Sequence, residues 1–183
     1  MKSNNEVNKM LLRDAVGKNV ILVNPSDEGF KKELEDRPDL LSRYSLMEAV
    51  PMNTGDFDYT LLKGAFIAKW DLMLSGHGGG GTIEYIGAAK LAEIVKYCWD
   101  KKQWIGRNIF LNSCGNETSQ AVMVREFVNV CQKVIPQAVK DAYRSMNSSN
   151  NQLNVYFSWV PLTFGGGLGI GEPEYFKTWF YLW

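Results

Sequence analysis

This chain has a single histidine, three cysteines and no surplus of either charge. Twenty Lys and Arg balance twenty Asp and Glu, so the basic excess that nucleic-acid binding requires is missing. No CxxC pair occurs, and one imidazole is too few for an ordinary zinc site. No metal and no cofactor is therefore expected. An odd number of cysteines without a close pair argues against a disulfide framework. No apolar run reaches the length of a membrane span. The opening MKSNNEVNKM lacks the apolar stretch of a signal peptide. The expectation is a cytoplasmic protein, or an effector secreted without a cleaved signal.

What is present is ordinary globular material, 45% hydrophobic and 22% charged over 183 residues. That length suits one domain, residues 1–183, with one substantial core. The polar stretch NSSNNQ, near 147–152, reads as a flexible linker inside it. Three apolar runs stand out as strands: residues 19–24 (NVILVN), 66–75 (FIAKWDLMLS) and 108–113 (NIFLNS). Their continuity suits strands buried on both faces. Helical spacing covers residues 5–16, 30–44 (broken at Pro38), 88–101, 118–134 and from Pro136 to about 146. In 118–134 the inward set is Val122, Val124, Phe127, Val128 and Cys131. Residues 44–59 read as a loop with at most one edge strand, 82–86 as a small hairpin arm and 153–160 as a late strand. Strands alternating with helices predict an α/β domain with a mainly parallel sheet.

The stretch LSGHGGGG, ending at Gly81, holds the one histidine. Gly76, Gly78 and Gly81 satisfy GxGxxG, but a dinucleotide turn needs a helix opening at its third glycine. Here TIEYI intervenes and the helix is delayed to about Gly87. The string HGGG also matches an esterase oxyanion loop, yet the chain has no GxSxG nucleophile elbow and no second histidine to act as base. The remaining reading needs a thiol. The next strand ends in Ser113-Cys114-Gly115. Two adjacent parallel strands would bring His77 and Cys114 to one carboxyl edge, where open parallel sheets bind ligands. Such a Cys and His make a nucleophile and a base. The bland alternatives are a buried structural cysteine and a hydrogen-bonded turn histidine. Cys98 and Cys131 read as core residues on inward helix faces.

The pair LSGHG and NIFLNSCG resembles the histidine and cysteine motifs of the caspase-like (clan CD) cysteine peptidases, across roughly residues 66–134. The caspase form is broken by the inserted Gly76, and NSCGN replaces its cysteine motif. The chain therefore looks like a distant member, of the bacterial effector or toxin type. The resemblance implies a caspase-like three-layer sandwich and a thiol protease acting on a protein or peptide substrate through a Cys114–His77 dyad. It implies an oxyanion hole formed by the N–H groups of Gly78 and Cys114. Some toxin-type relatives add an acid to the histidine. Asp27, after the first strand, is the candidate orienting acid, with an ordinary turn residue as the alternative. Residues 153–160 resemble the caspase strand that carries Ser-Trp-Arg. Ser158 and Trp159 match, and Val160 replaces the arginine that binds aspartate, giving a possible specificity pocket; an ordinary strand with an aromatic face is the equal alternative. The glycines from Gly165 to Gly171 suit a mobile loop beside such a site. Two rival functions stay open: a deamidase or transpeptidase using the same dyad, and a catalytically silent caspase-like interaction module. Neither the activator nor the oligomeric state is encoded in any motif.

Overall fold

The computed structural model describes residues 17–23, 44–51, 57–58, 66–79, 81–113, 117–145, 153–158 and 176–181. The expected helices at 5–16 and 30–43, the linker at 147–152 and the glycines at 165–171 lie outside these residues.

The described chain is α/β, built on a mainly parallel sheet. In chain order the strands are β1 (Lys18–Val23), β2 (Tyr44–Pro51), β3 (Phe57–Asp58), β4 (Asp71–Ser75), β5 (Gly78–Gly79), β6 (Thr82–Ile83), β7 (Asn108–Asn112), β8 (Asn154–Ser158) and β9 (Phe176–Tyr181). The described helices are α1 (Ala88–Lys102), α2 (Glu117–Val134) and α3 (Gln137–Ser145). The main sheet runs β3-β2-β1-β4-β7-β8-β9. Its five central strands are parallel, and β3 and β9 close the edges antiparallel.

Burial explains why the apolar runs are strands. On one face Ile21, Val23, Leu72, Leu74, Ile109, Leu111, Val155 and Phe157 form a single core with the inward residues of the helices. On the other face Val20, Leu22, Met73, Phe110 and Tyr156 are also buried. A sheet buried on both faces has no polar-out alternation, which is the pattern of parallel sheets in α/β proteins. Phe110 and Tyr156 are register partners, and their rings stack with centroids 4.8 Å apart. The Lys18 ammonium lies 5.0 Å from the Phe110 ring centroid. Such cross-strand aromatic pairs stabilise a sheet by up to about 1 kcal/mol each.

Several expectations are corrected. Residues 66–70 are not strand. The Asn19 side chain donates to the Ile67 carbonyl at 2.8 Å and accepts the Ile67 N–H at 2.9 Å. That amide acts as a ready-made backbone partner and holds the segment in a turn, closed by the Trp70 N–H on the Ile67 carbonyl. The strand begins only at Asp71. Residues 44–51 are a full parallel strand rather than a loop, because their turn-forming residues come after it. Val122 points to solvent, at 60% exposure. The buried positions of α2 are 120, 123, 124, 127, 128 and 131, a 3.6-residue stripe that excludes 122. The aromatic C-terminal run supplies β9, an edge strand that the sequence reading did not assign.

The connectivity positions the site. From β1 the chain moves outward to β2 on one side, and from β4 through β7 to β8 on the other. The reversal falls between β1 and β4. In open parallel sheets the crevice outside the carboxyl ends at such a reversal is the natural ligand site.

Candidate active site

The carboxyl ends of β4 and β7 lie side by side. Their register pairs Leu72 with Ile109 and ends with Ser75 opposite Asn112. The Gly76 N–H then donates to the Asn112 carbonyl at 3.2 Å. Buried polar side chains tie the two ends together. Asn112 Nδ2 donates to Ser75 Oγ at 2.8 Å. Gln120, in the first turns of α2, donates through Nε2 to the Ser113 carbonyl at 3.1 Å and to Ser113 Oγ at 3.0 Å. Buried amides that bridge strand ends to a helix fix the direction in which the chain leaves the sheet.

His77 follows immediately and is exposed. It opens a short arm in which β5 pairs with β6, Gly78 opposite Ile83 and Gly79 opposite Thr82. The hairpin arm expected at 82–86 is thus present and extends back to Gly78. Gly81 has φ +81°, and a Cβ there would approach the Ser119 carbonyl to 3.2 Å. The left-handed backbone and the close approach both favour glycine. The same contact seats the arm on the first turn of α2. Beyond β6 the chain reverses again. Ile83 and Ile86 exchange both backbone hydrogen bonds, at 3.1 and 2.8 Å. Between them Glu84 and Tyr85 have φ of 51° and 63°, as a type I′ hairpin turn demands.

These bonds decide where the Gly78 N–H points. Ile83 spends its N–H and its carbonyl on Ile86, while Glu84 donates its N–H to the His77 carbonyl at 2.6 Å. Bonded and non-bonded pairs alternate in an antiparallel ladder. The Gly78–Ile83 pair is a non-bonded one, and the Gly78 N–H turns away from β6.

Among the other expected site residues, Cys114, Asp27, Trp159 and Val160 lie outside the described residues. Ser158 is the last residue of β8, opposite Phe176. It stands one residue beyond the Leu111–Phe157 pair, at the same carboxyl edge as Ser75 and Asn112. Arg107, an alternative partner for an acidic substrate, precedes β7 at the opposite edge. Cys98 and Cys131 are fully buried free thiols, as expected. Burial pushes the Cys98 thiol up to about 12 and raises Cys131 further. Neither is a candidate nucleophile, because the thiolate is the reactive form. No group of His, Cys, Asp and Glu with metal-site geometry occurs among the described residues. None of their helices is long and apolar enough to cross a membrane. The dinucleotide reading is unsupported here too: its glycines lie in the arm, and α1 opens only at Ala88.

One residue at this site escaped the sequence reading. Glu84 Oε1 accepts the His77 N–H at 2.7 Å. A glutamate seven residues on, in a turn without glycine or asparagine, carries no signal that it folds back on the histidine. Compared with family models, with curated proteins and with solved structures, the chain gives no match.

Proposed function

We propose that the chain is a caspase-like cysteine peptidase, with Cys114 as nucleophile and His77 as its proton carrier. The observation that carries this reading is the β4–β7 register. Ser75 and Asn112 are partners, His77 lies two residues beyond the first, and Cys114 lies two beyond the second. Equal steps from a registered pair favour their meeting above one edge. Cys114 also stands three residues before α2, and a helix N-terminus favours the thiolate. Of the three thiols it is the one not accounted for by the core.

In this reading the Cys114 thiolate attacks the scissile carbonyl carbon. The S–C bond forms, and the oxyanion is received by the N–H groups of Gly78 and Cys114. Preorganised amides of this kind contribute a few kcal/mol. The tetrahedral species collapses, the C–N bond breaks, and the imidazolium of His77 gives its proton to the leaving amine. Water then attacks the thioester, His77 accepts a proton from it, and the acid departs as Cys114 is released. The outward direction of the Gly78 N–H and the exposure of His77 both favour this chemistry. Ser158 leaves β8 at the same edge, which favours a substrate pocket formed there with Trp159 and Val160. Asp27 follows β1 in sequence, next to β4, and would orient His77 from that side.

The test is cleavage of a fluorogenic peptide panel by the wild type, Cys114→Ala and His77→Ala, beside a glutamine deamidation assay. Cleavage by the wild type alone supports the peptidase. Deamidation without cleavage assigns the dyad to the rival acyl chemistry. Equal inactivity of all three points to a silent module.

A further inference from the structure

The geometry points to Glu84 as the positioning residue of His77: its carboxylate clamps the His77–Gly78 peptide unit above the end of β4. The inference rests on the peptidase reading above and deepens it. Three observations carry it.

First, Glu84 meets both polar groups of the His77 backbone. It donates its N–H to the His77 carbonyl at 2.6 Å, and its Oε1 accepts the His77 N–H at 2.7 Å. In a regular ladder the second bond would go to the Glu84 carbonyl. The left-handed backbone of Glu84, φ 51°, turns that carbonyl away, and the carboxylate takes its place. Bonds to a charged acceptor are short and directional.

Second, the clamp explains the inserted glycine. A Cβ on Gly76 would lie 2.7 Å from Glu84 Cγ, 2.9 Å from Ile83 Cγ2 and 3.1 Å from the Val23 carbonyl. The Glu84 stem occupies the space a side chain at 76 would need. Gly76 thus lets the Glu84 arm reach the histidine across the end of β1.

Third, the turn holds two non-glycine residues at positive φ. Asn-Gly or Gly-Gly would form it with less strain. Observed strain of this kind marks positions held for a purpose beyond folding. The Glu84 side chain has a visible task, fixing the peptide whose N–H would meet the oxyanion and whose Cα carries the imidazole.

The test compares the wild type with Glu84→Gln, which keeps an acceptor oxygen, and Glu84→Gly, which removes it while accepting φ 51° without strain. Glu84→Gly therefore separates positioning from folding, and thermal melting monitors both variants. Peptide cleavage and the His77 amide proton shift by ¹⁵N NMR are the readouts. The expected result is a loss of at least about tenfold in kcat for Glu84→Gly with KM nearly unchanged, since small misplacements of reacting groups are costly. Glu84→Gln stays within about threefold of wild type, and the His77 amide proton moves upfield in Glu84→Gly. A Glu84→Gly enzyme with wild-type kcat overturns the inference. So does a Glu84→Gln enzyme as impaired as Glu84→Gly, because charge and not position would then matter. A wild type no more active than Cys114→Ala overturns the peptidase reading instead. In that case the His77 amide alone judges the clamp: an unmoved resonance in Glu84→Gly overturns it, and an upfield shift supports it.

Discussion

Asn112 donates its side-chain amide to Ser75 Oγ at 2.8 Å, closing the carboxyl ends of β4 and β7 against each other. Both residues are buried, so this bond forms away from water, where leaving either group unmade costs about 1–3 kcal/mol. The next residue of each strand is held as well, Gly76 by the Asn112 carbonyl and Ser113 by Gln120. The edge that would receive a substrate is thus built from paired polar groups rather than from apolar packing.

Gly76→Ala is expected to impair the site from within. Its new methyl would press on Glu84, Ile83 and the Val23 carbonyl, all within 3.1 Å. Overpacking of this kind costs about 1–3 kcal/mol. The glutamate arm is the most movable of the three, so it yields first and releases His77. Urea unfolding and peptide cleavage on the same preparation check this. A loss of turnover larger than the loss of stability explains is the expected outcome, and unchanged turnover contradicts it.

The three thiols should separate in reactivity. A thiol raised to about 12, as Cys98 is, is ionised in about one molecule in ten thousand at pH 8. Cys131 is raised further. Brief iodoacetamide treatment of the folded protein followed by peptide mapping should label Cys114 and leave the other two. Cys98→Ala and Cys131→Ala should lower stability and retain catalysis. Equal, slow labelling of all three would contradict the nucleophile assignment.

Some of this was legible in the sequence and some was not. The continuous apolar runs of β1, β4 and β7 identify buried parallel strands, because a sheet covered on both faces needs no polar positions. The same logic misread residues 66–70, where Asn19, distant in sequence, supplies the hydrogen bonds that make a turn. It also missed β2, whose Ser45 and Glu48 interrupt the apolar pattern although its backbone pairs fully with β1. His77 was legible because it is the one imidazole. Glu84 was not, because its role depends on a left-handed turn that no residue preference announces.

Asp71 opens β4 at the far edge of the sheet and gives the fold a pH signature. Burial holds its carboxyl above the usual range, while the bonds from Asn108 at 2.9 and 3.2 Å and the Lys18 charge pull it down. The net shift is upward, so the folded state binds this proton more tightly than the unfolded chain does. Stability from this group is present at low pH and is lost as pH rises from the unfolded value, about 4, through the raised folded one. Urea denaturation of wild type and Asp71→Asn across this interval checks the sign. The wild type should lose stability relative to the variant as pH rises; a relative gain would contradict the burial account.

Substrate choice follows from the opposite edge as well. A caspase-type pocket holds aspartate with an arginine fork, and Val160 stands where that arginine would be. Arg107 lies at the amino end of β7, a strand length of about 15 Å from the carboxyl edge. An unpaired carboxylate desolvated in the pocket costs several kcal/mol. A positional-scanning peptide library should therefore show rejection of aspartate at P1 and preference for uncharged or basic residues. Selection for aspartate would place the pocket elsewhere.

The most direct measurement is a crystal structure of the protein inactivated by a peptidyl chloromethyl ketone. The account predicts a covalent bond to Cys114 Sγ. The His77 imidazole should lie within hydrogen-bond reach of the sulfur or of the attached carbon chain, about 3 Å or through one water. The Gly78 N–H should point at the inhibitor oxygen. A bond at Cys98 or Cys131, or an imidazole turned to another face of the sheet edge, would contradict it.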